Sequence, residues 1–290
     1  MVYLVLSIIC NAAIYILFKW FEKKEVQIFP AIVVNYLTAL SIGILVVPDL
    51  GLAFKGASEL PAWTIGGLLL GVVFISIFYL MAITAQKVGV SVTTIASKMS
   101  LALAVVLFVL IDPNESFTTQ KVIAIVLAIS GVVFASMRDD GTKMHIRAMM
   151  WPLLILLGST IIDFGIAYFS SFPANESELK LYSCLSFAMA AVCGWCIILV
   201  KMAKKTMTIR VKDMYAGLLL GTINYGSIYF LVQSYNTKIF EKSALLPINN
   251  LGVVLLGAVG ALIIFKEKLS SYNWIGIALS VVALGLLILG

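Results

Sequence analysis

Apolar residues run in blocks of about twenty along this chain, and charged residues are concentrated in and beside the short gaps between them. A membrane-spanning helix needs roughly 20 apolar residues, because the hydrocarbon is about 30 Å thick and each helical residue rises about 1.5 Å. Ten blocks reach that length: Val2–Phe21, Phe29–Val47, Ala62–Gln86, Val90–Ile111, Thr118–Met137, Met150–Ser170, Leu179–Val200, Val211–Tyr235, Ala244–Phe265 and Tyr272–Leu289. Breakers fall in the gaps, at Pro48, Pro61, Pro113, Pro173 and the Ser270–Ser271 pair. Trp63, Trp151, Tyr182 and Trp274 stand near block ends, where aromatic belts meet the membrane interface. The predicted fold class is an all-α integral membrane protein of ten transmembrane helices.

The blocks repeat. The GLLLG motif at Gly67–Gly71 in the third recurs at Gly217–Gly221 in the eighth, an offset of 150 that also brings Tyr79 onto Tyr229. Further along the offset becomes 152, and Glu115 then meets Glu267, Ser91 meets Ser243 and Ala124 meets Gly276. The matches keep their order and sit at equivalent block ends, which predicts two five-helix halves. They cover 1–137 and 148–290, joined by a polar loop at 138–147. An odd number of spans sends the second half into the membrane upside down. Inverted repeats of this kind are a recurrent transporter architecture, able to expose a central site alternately to either side.

Polar groups at membrane depth are few, and each is a candidate for function. Lys98 lies eight residues into the fourth block among Thr93, Thr94, Ser97 and Ser100. It faces either a cavity or lipid, with its stem running to the interface. Asp163 is the one clear acid in mid-span, and Ser159, four residues earlier, shares its helical face. It serves as a proton or cation site, as an ion-pair partner for Lys98, or as a structural acceptor. In the second half, Asn224 and Tyr225 lie in the eighth block, and Tyr225, Tyr229 and Gln233 form one stripe at four-residue spacing. Asn249 and Asn250 follow Pro247 in the ninth block and correspond to Ser97 and Lys98 at the offset of 152. Polar groups at equivalent depth in both halves are what a midplane small-molecule site requires; amides that merely join helices are the alternative. Asn11 in the first block is a further candidate. A static or mobile kink is expected at Pro247.

Composition agrees with a lipid-facing surface: 62% of residues are hydrophobic and only 12% charged, against about 25% charged in average soluble domains. The net charge of +6 is scattered through the gaps rather than gathered on one face, so nucleic acid is not an expected partner. Counted with the block ends beside them, the odd-numbered gaps hold fourteen Lys and Arg and the even-numbered gaps five, which places both termini outside the cytoplasm by the positive-inside rule. Cys10, Cys184, Cys193 and Cys196 all lie in apolar blocks, and the CxxC formed by Cys193 and Cys196 lacks the second ligand pair that zinc needs. No cleavable signal peptide is expected, because no basic region precedes the first block.

The run Phe265–Leu279, with Glu267, Trp274 and Gly276, resembles the Gly-Glu-Arg-Leu and Trp-Ile-Gly patterns of the drug/metabolite transporter superfamily. The resemblance extends to the Pro247–Gly260 segment and the GLLLG motifs. It covers nearly the whole chain as two EamA-like repeats. The first repeat departs from the pattern, with Asp112-Pro-Asn-Glu115 at the turn and no proline at Ile95. The resemblance implies ATP-independent efflux or exchange of small metabolites across a bacterial cytoplasmic membrane. No cofactor is expected, a proton is one candidate for the coupling ion, and both a monomer and a homodimer suit the chain. It also implies cytoplasmic termini, against the charge count. Lys98 matches a midplane basic position of relatives that carry phosphorylated substrates, whereas Asn249 and Asn250 supply no second positive charge. An amino acid or other zwitterion suits Lys98 and Asp163 better.

Enzymatic function is not expected. The single histidine, His145, lies in the polar loop, no Walker-type loop occurs, and Asp163 lacks a second acid for an aspartyl dyad. A non-transporting membrane scaffold or assembly protein is the remaining alternative.

Overall fold

The computed structural model describes residues 1–46, 62–111, 117–137, 146–169, 176–237 and 242–289. Glu115 and the other gap residues at 112–116, Pro48, Pro61, Pro173 and most of the polar loop, His145 included, lie outside them.

The described residues form helices α1 (Val2–Lys23), α2 (Ile28–Val46), α3 (Ala62–Lys87), α4 (Val90–Lys98), α5 (Ser100–Ile111), α6 (Thr119–Ala135), α7 (Ile146–Phe169), α8 (Glu176–Ala203), α9 (Val211–Asn236), α10 (Lys242–Phe265) and α11 (Ser271–Leu289), with no strand among them. Lipid offers no partner to backbone N–H and C=O groups, so long apolar segments must satisfy them internally as helices. Among the described residues, nine segments are long and apolar enough to cross a membrane, α4 and α5 together counting as one, and α6 is a shorter apolar helix. The protein is thus a multi-pass α-helical membrane protein.

The burial pattern argues for lipid from a second direction. Large apolar side chains such as Leu45 (84% exposed) and Ile263 (72%) face outward, while Ser7, Asn35, Thr93 and Ser100 are fully enclosed. Water would favour the reverse arrangement.

Helix ends have local causes. The Thr118 side chain caps α6 by accepting from the Lys121 N–H at 3.2 Å. After α1 and α8 the chain turns at Glu25 and Lys205, both with left-handed φ near +50°, and the next N–H returns to the carbonyl five residues back. These are Schellman-type stops without the usual glycine.

Pro247 sits inside a continuous α10, but the expected single helix over Val90–Ile111 is divided at Met99. The reason is local. The Ser100 hydroxyl bonds the Ser97 carbonyl and Ala102 N–H bonds the Met99 carbonyl, so the helix tightens to a three-residue turn. A serine side chain competes with the backbone ladder in this way.

Two compact units are present. The first contains Met1–Trp20, Leu80–Phe164 and Gly226–Gly290; the second contains Phe21–Tyr79 and Gly165–Tyr225. Each takes helices from both halves of the chain. In the first unit α6 packs on α11 and α4 on α10; in the second α2 packs on α8. Each of these three pairs joins blocks that stand five apart in chain order. The glycine motifs show the same reciprocity within the second unit. Gly67 and Gly71 of α3 pack on Tyr182 and Ser186 of α8, while Gly217 and Gly221 of α9 pack on Ala31 and Asn35 of α2. A methyl group at Gly71 would lie 2.5 Å from the Ser186 carbonyl, and one at Gly221 would lie 2.6 Å from that of Asn35. Only glycine allows backbones this close.

Candidate functional site

The break after Lys98 lies inside the first unit, in a helix whose residues Val90 to Ser97 are all buried. Around it the fold gathers polar groups from three further helices. From α1, the Tyr15 hydroxyl donates to Ser97 Oγ at 2.9 Å, and the Tyr15 ring lies 5.9 Å from the Lys98 ammonium. That separation is within the range of a cation–π contact. From α7, Ser159 Oγ lies 3.4 Å from Ser97 Oγ, and Asp163 Oδ2 lies 2.5 Å from Ser100 Oγ at the start of α5. The Asp163 carboxylate is within electrostatic reach of Lys98. Both charged residues are half-buried, and no direct hydrogen bond joins them among the described residues.

Ser100 carries one hydroxyl proton and faces two acceptors, the Ser97 carbonyl and Asp163. A hydroxyl donates once. Either Ser100 serves the carboxylate and releases the Ser97 carbonyl, or a protonated Asp163 donates to Ser100. Proton occupancy at Asp163 is thereby tied to the hydrogen bond that shapes the helix break. The cluster thus offers a cation, an acid and four hydroxyls at membrane depth, groups that can hold a small polar or zwitterionic solute.

No family model matches the chain. An uncharacterized protein of Haemophilus influenzae is 26% identical over 285 residues, which cover 97% of this chain and 95% of that protein. A protein known from its crystal structure is 17% identical and superimposes with a TM-score of 0.59, over 99% of this chain and 96% of its own. At that identity the likeness is one of fold, extending over the full length.

The other predicted site residues are distributed. Asn249 is buried in the first unit, accepts from Ser7 Oγ at 3.0 Å, and its Nδ2 has no hydrogen-bond partner among the described residues. Asn250 is buried beside it in sequence, and Asn11 and Gln233 are half-buried. Tyr229 is exposed, with its ring 5.5 Å from that of Phe230, so the stripe from Tyr225 to Gln233 is not uniformly enclosed. Asn224 and Tyr225 belong to the second unit, where Asn224 Nδ2 donates to Asn35 Oδ1 at 3.2 Å.

Several polar residues of structural weight escape a reading of blocks alone. Tyr15 and Ser7 look like ordinary members of an apolar run, although Tyr15 stands one helical turn from Asn11. Asp213 is fully buried at the start of α9 in the second unit. It accepts from the N–H groups of Gln27 and Arg210 and forms a bidentate pair with the Arg210 guanidinium. Arg210 in turn donates to the Glu25 carbonyl at 2.7 Å, fixing the turn after α1.

Proposed function

We propose that this protein is a secondary transporter of a small polar metabolite, such as an amino acid, built as ten spans in two inverted five-helix repeats of the drug/metabolite transporter type. The reading rests chiefly on one observation: Lys98 and Asp163 face a common polar cluster at a break in the fourth span. Charged groups and interrupted helices are expensive at membrane depth, and they mark solute and ion pathways in carriers. The reciprocal packing of the glycine motifs and the pairing of corresponding blocks support the repeat. Alternating access then needs only exchange between two equivalent shapes of the halves.

The mixed charge of the cluster favours a zwitterion. Lys98 meets a carboxylate, Asp163 an ammonium group or a coupling proton, and Asn249 Nδ2 offers a further donor in the second half. Direction is efflux or exchange across the cytoplasmic membrane of a bacterium.

Proteoliposomes loaded with a mixture of amino acids and assayed for release under an imposed pH gradient test the proposal. Release above protein-free liposomes, lost in Lys98→Gln and Asp163→Asn at normal protein abundance, is the expected result. Variants that lower abundance without changing release per molecule favour a scaffold instead.

A further inference from the structure

A cavity of about 690 Å³ opens in the first unit at the ends of α1, α3 and α6, and at the turn between α10 and α11. It shares no residue with the Lys98 cluster, and Val92 is the α4 residue in its wall. Lys19, Lys87 and Lys268 line it, with Glu267 as the one carboxylate among the described residues there. Val88, Val92 and Leu269 supply apolar wall.

The hydrogen-bonding groups around this space decide what it can hold. Glu267 is directed at the start of α4, where it accepts from the Val90 N–H at 3.1 Å and from Ser91, and it lies in the field of Lys19. Its charge is therefore answered within the protein, by backbone donors at the positive end of a helix. Lys19 donates to the Gln86 carbonyl. The Asn273 amide nitrogen serves the Ala135 and Met137 carbonyls, its oxygen takes the Ser270 N–H, and Ser136 bonds Val132. What remains toward the opening is a pair of exposed ammonium groups, Lys87 and Lys268, the first of them lying 5.8 Å from the Trp151 ring. Among the described residues no acceptor balances either ammonium group, and such a pair of cations selects an anion. The volume far exceeds that of a bare phosphate ion and lies within the ordinary range for small organic ligands, about 300–1,000 Å³. An ammonium rim above an apolar wall, at the ends of membrane helices, matches an anionic head carried on a less polar body.

We infer that this cavity binds a net-anionic organic phosphate, with Lys87 and Lys268 as its recognition groups and Val88, Val92 and Leu269 contacting the body of the ligand. The source is either an anionic phospholipid or a soluble phosphate ester.

Thermal unfolding of the detergent-solubilised protein, titrated separately with phosphatidylglycerol, phosphatidylcholine and glycerol 3-phosphate, tests this site. Phosphatidylglycerol or glycerol 3-phosphate should raise the midpoint saturably while phosphatidylcholine does not. A response to the lipid alone assigns the site to the membrane; a response to glycerol 3-phosphate alone assigns it to a soluble ester. The double variant Lys87→Gln/Lys268→Gln should weaken binding by roughly tenfold to thirtyfold, the share of two basic residues at an anionic interface. Lys87→Arg/Lys268→Arg should retain it, and Lys204→Gln/Lys205→Gln, which removes exposed lysines of the second unit, should leave it unchanged. Equal shifts with phosphatidylglycerol and phosphatidylcholine, no shift with any probe, or equal losses in both glutamine pairs would overturn the inference. None of these outcomes bears on transport through the Lys98 cluster.

Discussion

Ser100 and Asp163, 63 residues apart in sequence, meet at 2.5 Å between α5 and α7. The contact couples an ionisable group to the geometry of an interrupted helix, since the same hydroxyl also reaches the Ser97 carbonyl that the break leaves without its usual N–H donor.

Asp163→Asn keeps an acceptor for Ser100 but abolishes ionisation. The expected outcome is normal abundance with loss of the release that an imposed pH gradient drives. Asp163→Leu removes the acceptor as well and should lower stability by about 1–3 kcal/mol, the usual effect of stranding a buried polar partner. Release measured with and without the gradient, beside quantitative blotting, separates the two; unchanged gradient dependence in Asp163→Asn would exclude a coupling role.

Lys98 and Asp163 share a field without a direct bond, so their coupling should be modest. In a double-mutant cycle of Lys98→Gln and Asp163→Asn, thermal stability should depart from additivity, with the double variant less impaired than the two single effects predict. Strict additivity would mean that the two charges do not sense one another.

Gly71→Ala should be destabilising by about 1–3 kcal/mol, because the new methyl group meets the Ser186 backbone and Met189 Cβ, which cannot rotate away. Gly221→Ala should match it through the Asn35 backbone. Gly285→Ala, with nothing within 4 Å of the added methyl, should be neutral. Unfolding midpoints of the three variants provide the check, and a neutral Gly71→Ala would contradict the close α3–α8 packing.

Asp213→Ala leaves the Gln27 N–H and the Arg210 guanidinium without their shared acceptor at the turn after α1. A loss of about 1–3 kcal/mol is expected. Limited proteolysis should then cut near Glu25, which is resistant in the parent protein if Arg210 holds that turn.

Burial raises the Glu267 carboxyl above the usual carboxylate range, and its bonds to Val90 and Ser91 and the charge of Lys19 only partly offset this. A raised value means that the folded protein binds the proton more tightly than the unfolded chain does. The contribution of this group to stability is complete below the usual glutamate range and is lost as pH rises through the raised value. Glu267→Gln should therefore flatten the decline in stability over the interval just above the usual glutamate range. An unchanged pH profile in that interval would show that Glu267 does not carry it.

Much of the candidate site was visible in the order of residues. Lys98 and Asp163 announce themselves because each is a charge in a block that otherwise has none. Tyr15, Ser7 and Asn35 do not, since a single hydroxyl or amide in an apolar run looks alike whether it faces a neighbour or lipid. The division at Met99 was also hidden, because a serine hydroxyl competes with the helix ladder only where its surroundings favour that bond.

The blocks and their breakers, on their own, determined the helical membrane character, the approximate span ends and the positions of the deep polar groups. Those properties follow from a local rule, as hydrocarbon of fixed thickness imposes a fixed length of apolar helix. Tertiary structure decided which groups meet: Ser100 with Asp163, Tyr15 with Ser97, Asn224 with Asn35, and Glu267 with the start of α4. When nearly every face of every helix is apolar, the pattern does not say which face turns inward. Close packing of small residues and the pairing of buried polar atoms make that choice, and both depend on helices distant in the chain.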